Sequence, residues 1–455
     1  MKIFKTMREH LMKTSPGREK TLLLFAALTA LTFLNPGQAC AQTVQIDAKL
    51  LQQLQETVWQ QQEQLKNQAL TLSALQKQIN DLKQATGDMQ TQAAQAVSTA
   101  RQAMDAGGKA GLTTMITTSG KPLKISLSGQ VNRAVNQIND GAVNKAYFVD
   151  HATSGTRLNF EAAAKMDEDL TLGSRIEVAI APENSAQVSQ SNQTPGDFFN
   201  QRWAEVSLTS RNYGKLSIGK GDTASNTTAE ADLSGTLAVQ NSSVADIVNG
   251  MLFRERAGDH ALTGIKVSTA FSNLDGLSRE SRIRYDTPQF HGFSLAASGV
   301  SNQRADTAIF WDGKGYGFNA AARAAVANPN IAQAGNRYGG SFSILHENTG
   351  LNFTMAAGLQ ERDHQNNDTN LYGKLGWLSK LNRFGSTAFI VDYTRARNTP
   401  AAHDTGYATG VGVNQFFDKY DTELYLQYRL FSLERNSGPE VEDLKVGTFG
   451  ARVRF

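Results

Sequence analysis

Two hydrophobic periods divide the chain. Between Leu51 and Leu82 the apolar positions Leu51, Leu54, Val58, Leu65, Leu72, Leu75, Ile79 and Leu82 recur three and four apart, with Gln61 and Gln68 in the same series. This is a heptad seam. Its stripe is too narrow to be buried except against other helices, so a self-associating coiled coil is predicted over residues 42–104. Leu51 to Met104 would make a rod of about 80 Å at 1.5 Å per residue. A Gly-rich stretch follows, and residues 105–122 read as a flexible hinge.

After Pro122 the period changes to two. Lys124, Ser126, Ser128, Gln130 and Asn132 fall on one face, and Leu123, Ile125, Leu127, Gly129 and Val131 on the other. The same alternation recurs at Leu351/Phe353/Met355/Ala357/Leu359 and Leu424/Leu426/Tyr428/Leu430, and it ends at Phe449/Ala451/Val453/Phe455. Side chains alternate faces along a strand, so each segment has one apolar and one polar face. The final strand sets Arg452 and Arg454 opposite its apolar face. The expected fold is an all-β transmembrane barrel of about 16 antiparallel strands over 123–455, preceded by the coiled coil. Even strand number requires one candidate segment, Leu262–Ser272, to leave the wall. Gly221 to Leu277 then becomes one long connection, of a length usually kept for function.

The amino terminus changes the compartment. Lys2, Lys5, Arg8, Lys13, Arg18 and Lys20 precede the apolar run from Thr21 to Leu34, and Ala39-Cys40-Ala41 supplies small residues for cleavage. Residues 1–41 therefore read as a secretory signal peptide. Cys40 is the single cysteine, so cleavage after Ala41 leaves no disulfide framework. A lipoprotein modified at Cys40 is the rival reading. Beyond Leu34 no apolar run is long enough for a spanning helix, and a spanning chain of this kind must be a closed barrel. The net charge of +3 on 455 residues gives no sign of nucleic acid as a partner. His10, His151, His260, His291, His346, His364 and His403 show no ligand spacing, and there is no phosphate loop or nucleophile elbow. No metal, no cofactor and no enzymatic activity are expected.

Several segments in order resemble the general porins of Gram-negative outer membranes. They are Leu127-Ser128-Gly129-Gln130-Val131, Thr156-Arg157-Leu158-Asn159-Phe160, Asp169-Leu170-Thr171-Leu172-Gly173, Asn212-Tyr213-Gly214-Lys215-Leu216, the turn Tyr285-Asp286-Thr287-Pro288, and the terminal Phe455. The resemblance implies a sixteen-stranded homotrimeric diffusion channel of the outer membrane with an inward constriction loop, here Gly221 to Leu277. It also implies contact with outer-membrane lipid and lipopolysaccharide, and recognition of Phe455 by the barrel assembly machinery. The coiled coil departs from many members. It suggests a periplasmic stalk, with peptidoglycan as a further partner if the rod tethers the barrel to the cell wall. A solute-selective channel on the same fold is the other alternative.

Selectivity in such a pore comes from its radius and its lining charges. By the resemblance Arg157 and Arg202 belong to a basic wall, and by alternation Arg175, Arg282 and Arg284 join it. Arg202 shares parity with Ala204, Val206 and Leu208, so either its strand lies in a subunit interface or the register slips there. The candidate acids on the loop are Asp222, Glu230, Asp232 and Asp246. Arg133 breaks an apolar face, which predicts a subunit contact there. Arg452 and Arg454 are expected below the constriction. Trp203, Trp311, Trp377, Tyr285, Tyr393, Tyr407 and Tyr428 are candidates for interfacial aromatic girdles.

Overall fold

The computed structural model describes residues 115–118 and 121–455, except 197, 198 and 238. The predicted signal peptide, the coiled-coil core from Leu51 to Leu82 and most of the hinge lie outside the described residues. The strands are β1 (Met115–Thr118), β2 (Lys121–Asn139), β3 (Asn144–Asp150), β4 (Arg157–Lys165), β5 (Leu170–Ile180), β6 (Phe199–Ser210) and β7 (Gly214–Asp222). A short hairpin of β8 (Leu252–Arg254) and β9 (Leu262–Lys266) follows, apart from the main sheet. Then come β10 (Arg279–Asp286), β11 (Phe293–Val300), β12 (Arg304–Gly315), β13 (Phe318–Asn328), β14 (Ala334–His346) and β15 (Leu351–Arg362). The series ends with β16 (Asp368–Asn382), β17 (Gly385–Arg397), β18 (Thr405–Phe417), β19 (Thr422–Glu434) and β20 (Leu444–Arg454).

The main sheet is antiparallel and closes on itself, because β20 pairs with β19 on one edge and with β2 on the other. β1 and β3 pair only with parts of β2, so the closed wall has 16 strands. β1 extends pairing into residues assigned to the hinge, because β2 starts at Lys121 and offers Lys121–Lys124 as partners. Phe455 continues the closing seam: its N–H donates to Gly129 O at 3.1 Å, and its carbonyl accepts from Gly129 N at 2.8 Å. β3 and β4 lie end to end along one edge of β2. Between them the chain breaks inward at His151, which is fully buried.

The alternation decides which side is wet. On β15, Leu351, Phe353 and Met355 are exposed outward, while Asn352 and Thr354 are buried inward. On β19, Leu424, Leu426 and Tyr428 face out, and Glu423, Gln427 and Arg429 are buried within the barrel. An apolar exterior around a polar interior suits a wall surrounded by lipid. Short turns join β4 to β5, β6 to β7, β10 to β11, β12 to β13, β14 to β15, β16 to β17 and β18 to β19 at one end. The longer connections, including 223–278, are at the other. In bacterial barrels the short turns are periplasmic.

Tyr316 has the parity of the strand positions Phe318, Ala320 and Ala322, but it sits in the β12–β13 turn with φ 52° and is fully exposed. Trp203 faces the lumen instead of an outer girdle: it is opposite the inward Glu177, and the Arg175 guanidinium lies 4.0 Å from its ring. Arg133 finds a partner within its own chain. Its guanidinium donates to Glu183 at 2.7 Å and to Pro182 O at 2.7 Å, so no second subunit is needed to satisfy that charge.

Candidate functional site: a charged constriction inside the barrel

Residues 223–278 fold into the barrel and follow its inner wall. The loop starts at the Asp306 carboxylate of β12, which accepts Ala224 N at 3.2 Å and Ser225 N at 2.9 Å. It next meets β14, where Ser341 Oγ accepts from Ala231 N at 2.8 Å and Ser343 Oγ accepts from Leu233 N at 2.9 Å. At β16 the Lys374 ammonium is ion-paired with Asp232, and both side chains are buried. Lys374 also donates to Thr236 Oγ1 at 3.1 Å and to Gln240 O at 3.0 Å. Gln240 Nε2 donates to Asp392 of β17 at 2.5 Å, and Asp392 is held by both Nη atoms of Arg429 at 2.8 and 2.6 Å. The loop reaches β2 where Asn136 Nδ2 donates to Ile247 O at 2.7 Å.

Close approach to the wall needs small inward residues, and β18 supplies them. A Cβ on Gly410 would meet Gln240 Nε2 at 2.6 Å and Arg429 Nη2 at 2.7 Å. Beyond Ile247 the loop rises to the rim. There Arg254 Nε bonds Asp140 at 2.8 Å and the β8–β9 hairpin pairs with 440–442. It returns past Phe431, whose ring centroid is 5.1 Å from that of Phe271. Arg337 Nη1 donates to Gly276 O at 2.8 Å just before β10. Each of these polar groups would cost free energy if buried unpaired, so together they define one loop path.

The basic wall is built around one carboxylate. Glu177 on β5 accepts from Arg175 at 2.5 Å and from Arg202 at 2.5 Å, and Arg157 lies 3.8 Å away. Arg202 reaches it through a β-bulge. Glu177 pairs with Trp203 and Val178 with Gln201, which leaves Arg202 as the extra residue. Bulges re-aim side chains in this way, and of the two readings of its parity the structure has the register slip. Arg202, Arg279 and Arg452 all lie within electrostatic reach of Arg157, and Arg202 also of Arg279. Arg279 pairs with Asp222 at 3.0 Å, and Arg452 with Glu423 at 2.5 Å.

The loop presents acids toward this wall. Glu230 is influenced by Asp275, Asp246 and Arg279, and Asp246 also feels Arg279. Burial, with Asp275 and Asp246 close by, pushes Glu230 up to about 8. Burial raises Asp246 above the usual carboxylate range and Asp275 to about 6.

The candidates named from sequence thus separate into groups. Arg157, Arg175 and Arg202 gather on Glu177, and Glu230 and Asp246 share an acidic cluster on the loop. Asp222 stands at the loop base with Arg279. Arg282 is buried, not open to the lumen: it bonds Glu205 at 2.5 Å, Asp222 O at 2.9 Å and Gly219 O at 3.1 Å. Arg284 bonds Asp286 at 2.6 Å and Thr223 O at 2.7 Å. Asp232 is spent on Lys374. Sequence reasoning missed Glu177, Asp275 and Arg279. Arg279 shares parity with the outward Ile283 and Tyr285 and escapes that face only because it is the first residue of β10. The cue for Glu177 was available, since it shares the inward face with Arg175.

A family model described as Gram-negative porin matches residues 89–448. No curated protein matches the sequence. Among solved structures, an anion-selective porin from Comamonas acidovorans is similar, with 15% identity and a TM-score of 0.50 over 73% of this chain and 100% of that one. OmpT of Vibrio cholerae, folded in vitro, is 11% identical with a TM-score of 0.49 over 75% and 99% of the two chains. The outer membrane channel DcaP of Acinetobacter baumannii is 12% identical with a TM-score of 0.48, again over 75% and 99%. At 15% identity the likeness to the Comamonas porin is one of fold, and membership rests on the family match across most of the chain: the protein belongs to the Gram-negative porin family.

Proposed function

We propose that the chain forms a water-filled channel for passive diffusion of small hydrophilic solutes and ions across the outer membrane. Arg157, Arg202 and Arg279 form the basic side of its constriction, and Glu230 and Asp246 the acidic side. The observation that carries this reading is the placement of the loop acids within electrostatic reach of Arg279. A transverse field of that kind orders water and orients dipolar solutes. The two sides are unequal near neutral pH. Guanidinium groups stay charged, whereas Glu230, at about 8, is mostly protonated at pH 7. The pore therefore favours anions. Planar-bilayer recording of the purified protein tests this: a stable ohmic current with reversal potentials favouring anions is expected, and absence of current refutes the reading.

The family resemblance and the heptad seam support a homotrimer whose periplasmic stalk is the 42–104 segment. Tethering to peptidoglycan would be a second role of that stalk.

A further inference from the structure

On the inner wall, Arg323 of β13 belongs neither to the constriction nor to the loop anchors. It shares its face with the buried Ala321 and Ala327, and it is directly opposite Phe310 on β12 and Ser341 on β14. Ser341 is an inward residue that holds the loop, and Phe310 shares its face with the inward Asp306 and Ala308. Among the described residues Arg323 forms no ion pair and no hydrogen bond, and its Nε is shielded from solvent without a partner. Its guanidinium lies instead 5.9 Å from the centroid of the Phe310 ring, within cation–π range. Arg157, Arg202, Arg279 and Arg452 each meet a carboxylate, and Arg323 meets none.

The pair sits beneath the point where the loop enters the barrel. Phe310 and Ala325 pack against Ala224 of the loop and against Ala296 and Ala308 of the wall. Arg323 is one inward position nearer the short-turn end than Ala325, hence on the periplasmic side of that contact. The adjoining inward residues Ala308, Ala321, Ala325 and Ser341 are all small, and the ring and the guanidinium are each half-buried. Asp312, the next inward residue of β12, is opposite Ala321; it is exposed and without an ion pair.

These groups differ from a general anion wall in chemistry. A guanidinium with free donors takes a carboxylate by two parallel hydrogen bonds. An aromatic face beside it takes a second ring in an offset stack, which a bare halide cannot use. The Asp312 carboxylate opposes a second negative charge on the same solute. We propose that Phe310 and Arg323 form a periplasmic-side subsite of the lumen for aromatic monocarboxylates, a reading that rests on the channel function given above. The solute's carboxylate lies on Arg323 and its ring on Phe310, with Asp312 disfavouring dianions.

The test records potassium chloride current through the purified full-length protein in a planar bilayer while benzoate is added to one side and then to the other. Benzoate should reduce the current saturably, acetate at the same concentrations should not, and terephthalate should be the weaker blocker. Arg323→Gln should raise the half-blocking benzoate concentration about tenfold, and Arg323→Lys, which keeps the charge and loses the fork, should fall between it and the wild type. Phe310→Ala should raise it about fivefold, whereas Phe310→Tyr should retain the block. Asp312→Asn should strengthen the block by terephthalate. An open-channel current in potassium chloride alone reports that each variant is folded. A conducting wild type that benzoate does not block, equal block by acetate, or an unchanged half-blocking concentration in Arg323→Gln would overturn the proposal and leave the channel reading intact. Absence of any current in potassium chloride would refute the channel reading itself, and the subsite with it.

Discussion

Arg202 Nε lies 2.5 Å from Glu177 Oε1 because β6 carries one residue more than β5 at that point. The bulge turns a side chain of outward parity into the lumen and sets it beside Arg157 and Arg175 on a single carboxylate. Against these three arginines stand the buried Glu177 and the more exposed Glu161, 3.6 Å from Arg175, which leaves the cluster one charge positive.

Removing one of these charges should alter selectivity without closing the pore. A unit charge about 6 Å from a passing ion is worth ~0.7 kcal/mol in a water-like dielectric, roughly threefold in partitioning. Arg157→Gln and Arg202→Gln are each expected to lower the anion-to-cation permeability ratio by about that factor. Glu177→Gln should raise it. Reversal potentials in a salt gradient measure all three.

The loop acids predict a pH dependence with a definite sign. Glu230 stands at about 8 and Asp275 at about 6. As pH falls from 9 to 5 the loop loses negative charge while the arginines keep theirs, so anion preference should increase. Carboxyl groups whose pKa is raised by folding hold their protons longer in the folded state, so their contribution to stability is lost as pH rises toward the folded pKa. Glu230→Gln should flatten the upper part of the selectivity curve.

Asp232 and Lys374 anchor the loop from opposite sides of a buried ion pair. Breaking one half of a buried pair costs ~3–5 kcal/mol. Lys374→Met is expected to free this part of the loop, giving noisier single-channel currents and a lower thermal transition. Asp232→Leu combined with Lys374→Met should recover most of the loss, because no unpaired charge then remains.

Phe455 completes the seam through two backbone bonds to Gly129. Deleting it removes both, and by the family resemblance also removes the assembly signal. The fraction of heat-modifiable, membrane-inserted protein should fall, while any barrels that do form should conduct normally.

Much of the wall was legible because a period-two pattern has only two faces, and a one-residue slip moves every side chain across. Leu351 to Leu359 and Leu424 to Leu430 therefore declare their outward side unaided. The long connection from Gly221 was legible only once the even strand number removed the strand-like Leu262–Ser272 from the wall, and the structure sets Leu262–Lys266 in a separate hairpin. What stayed hidden depended on contacts distant in sequence. The order of residues does not show that Asp232 meets Lys374, or that Glu183 neutralises Arg133. Arg202 was legible as an anomaly of parity, but only the pairing of Glu177 with Trp203 resolved it. Arg279 was hidden by its parity, and Arg282 was misplaced because alternation gives the side of the wall and says nothing of what covers it.

The most direct measurement of the central claim is the permeability ratio of single channels from the purified protein, wild type beside Arg157→Gln/Arg202→Gln, in a planar bilayer under a potassium chloride gradient at pH 7. The account predicts an open, ohmic, anion-preferring current in the wild type, and a shift toward cations in the double variant at similar conductance. A stable current whose reversal potential is the same in both proteins would contradict it.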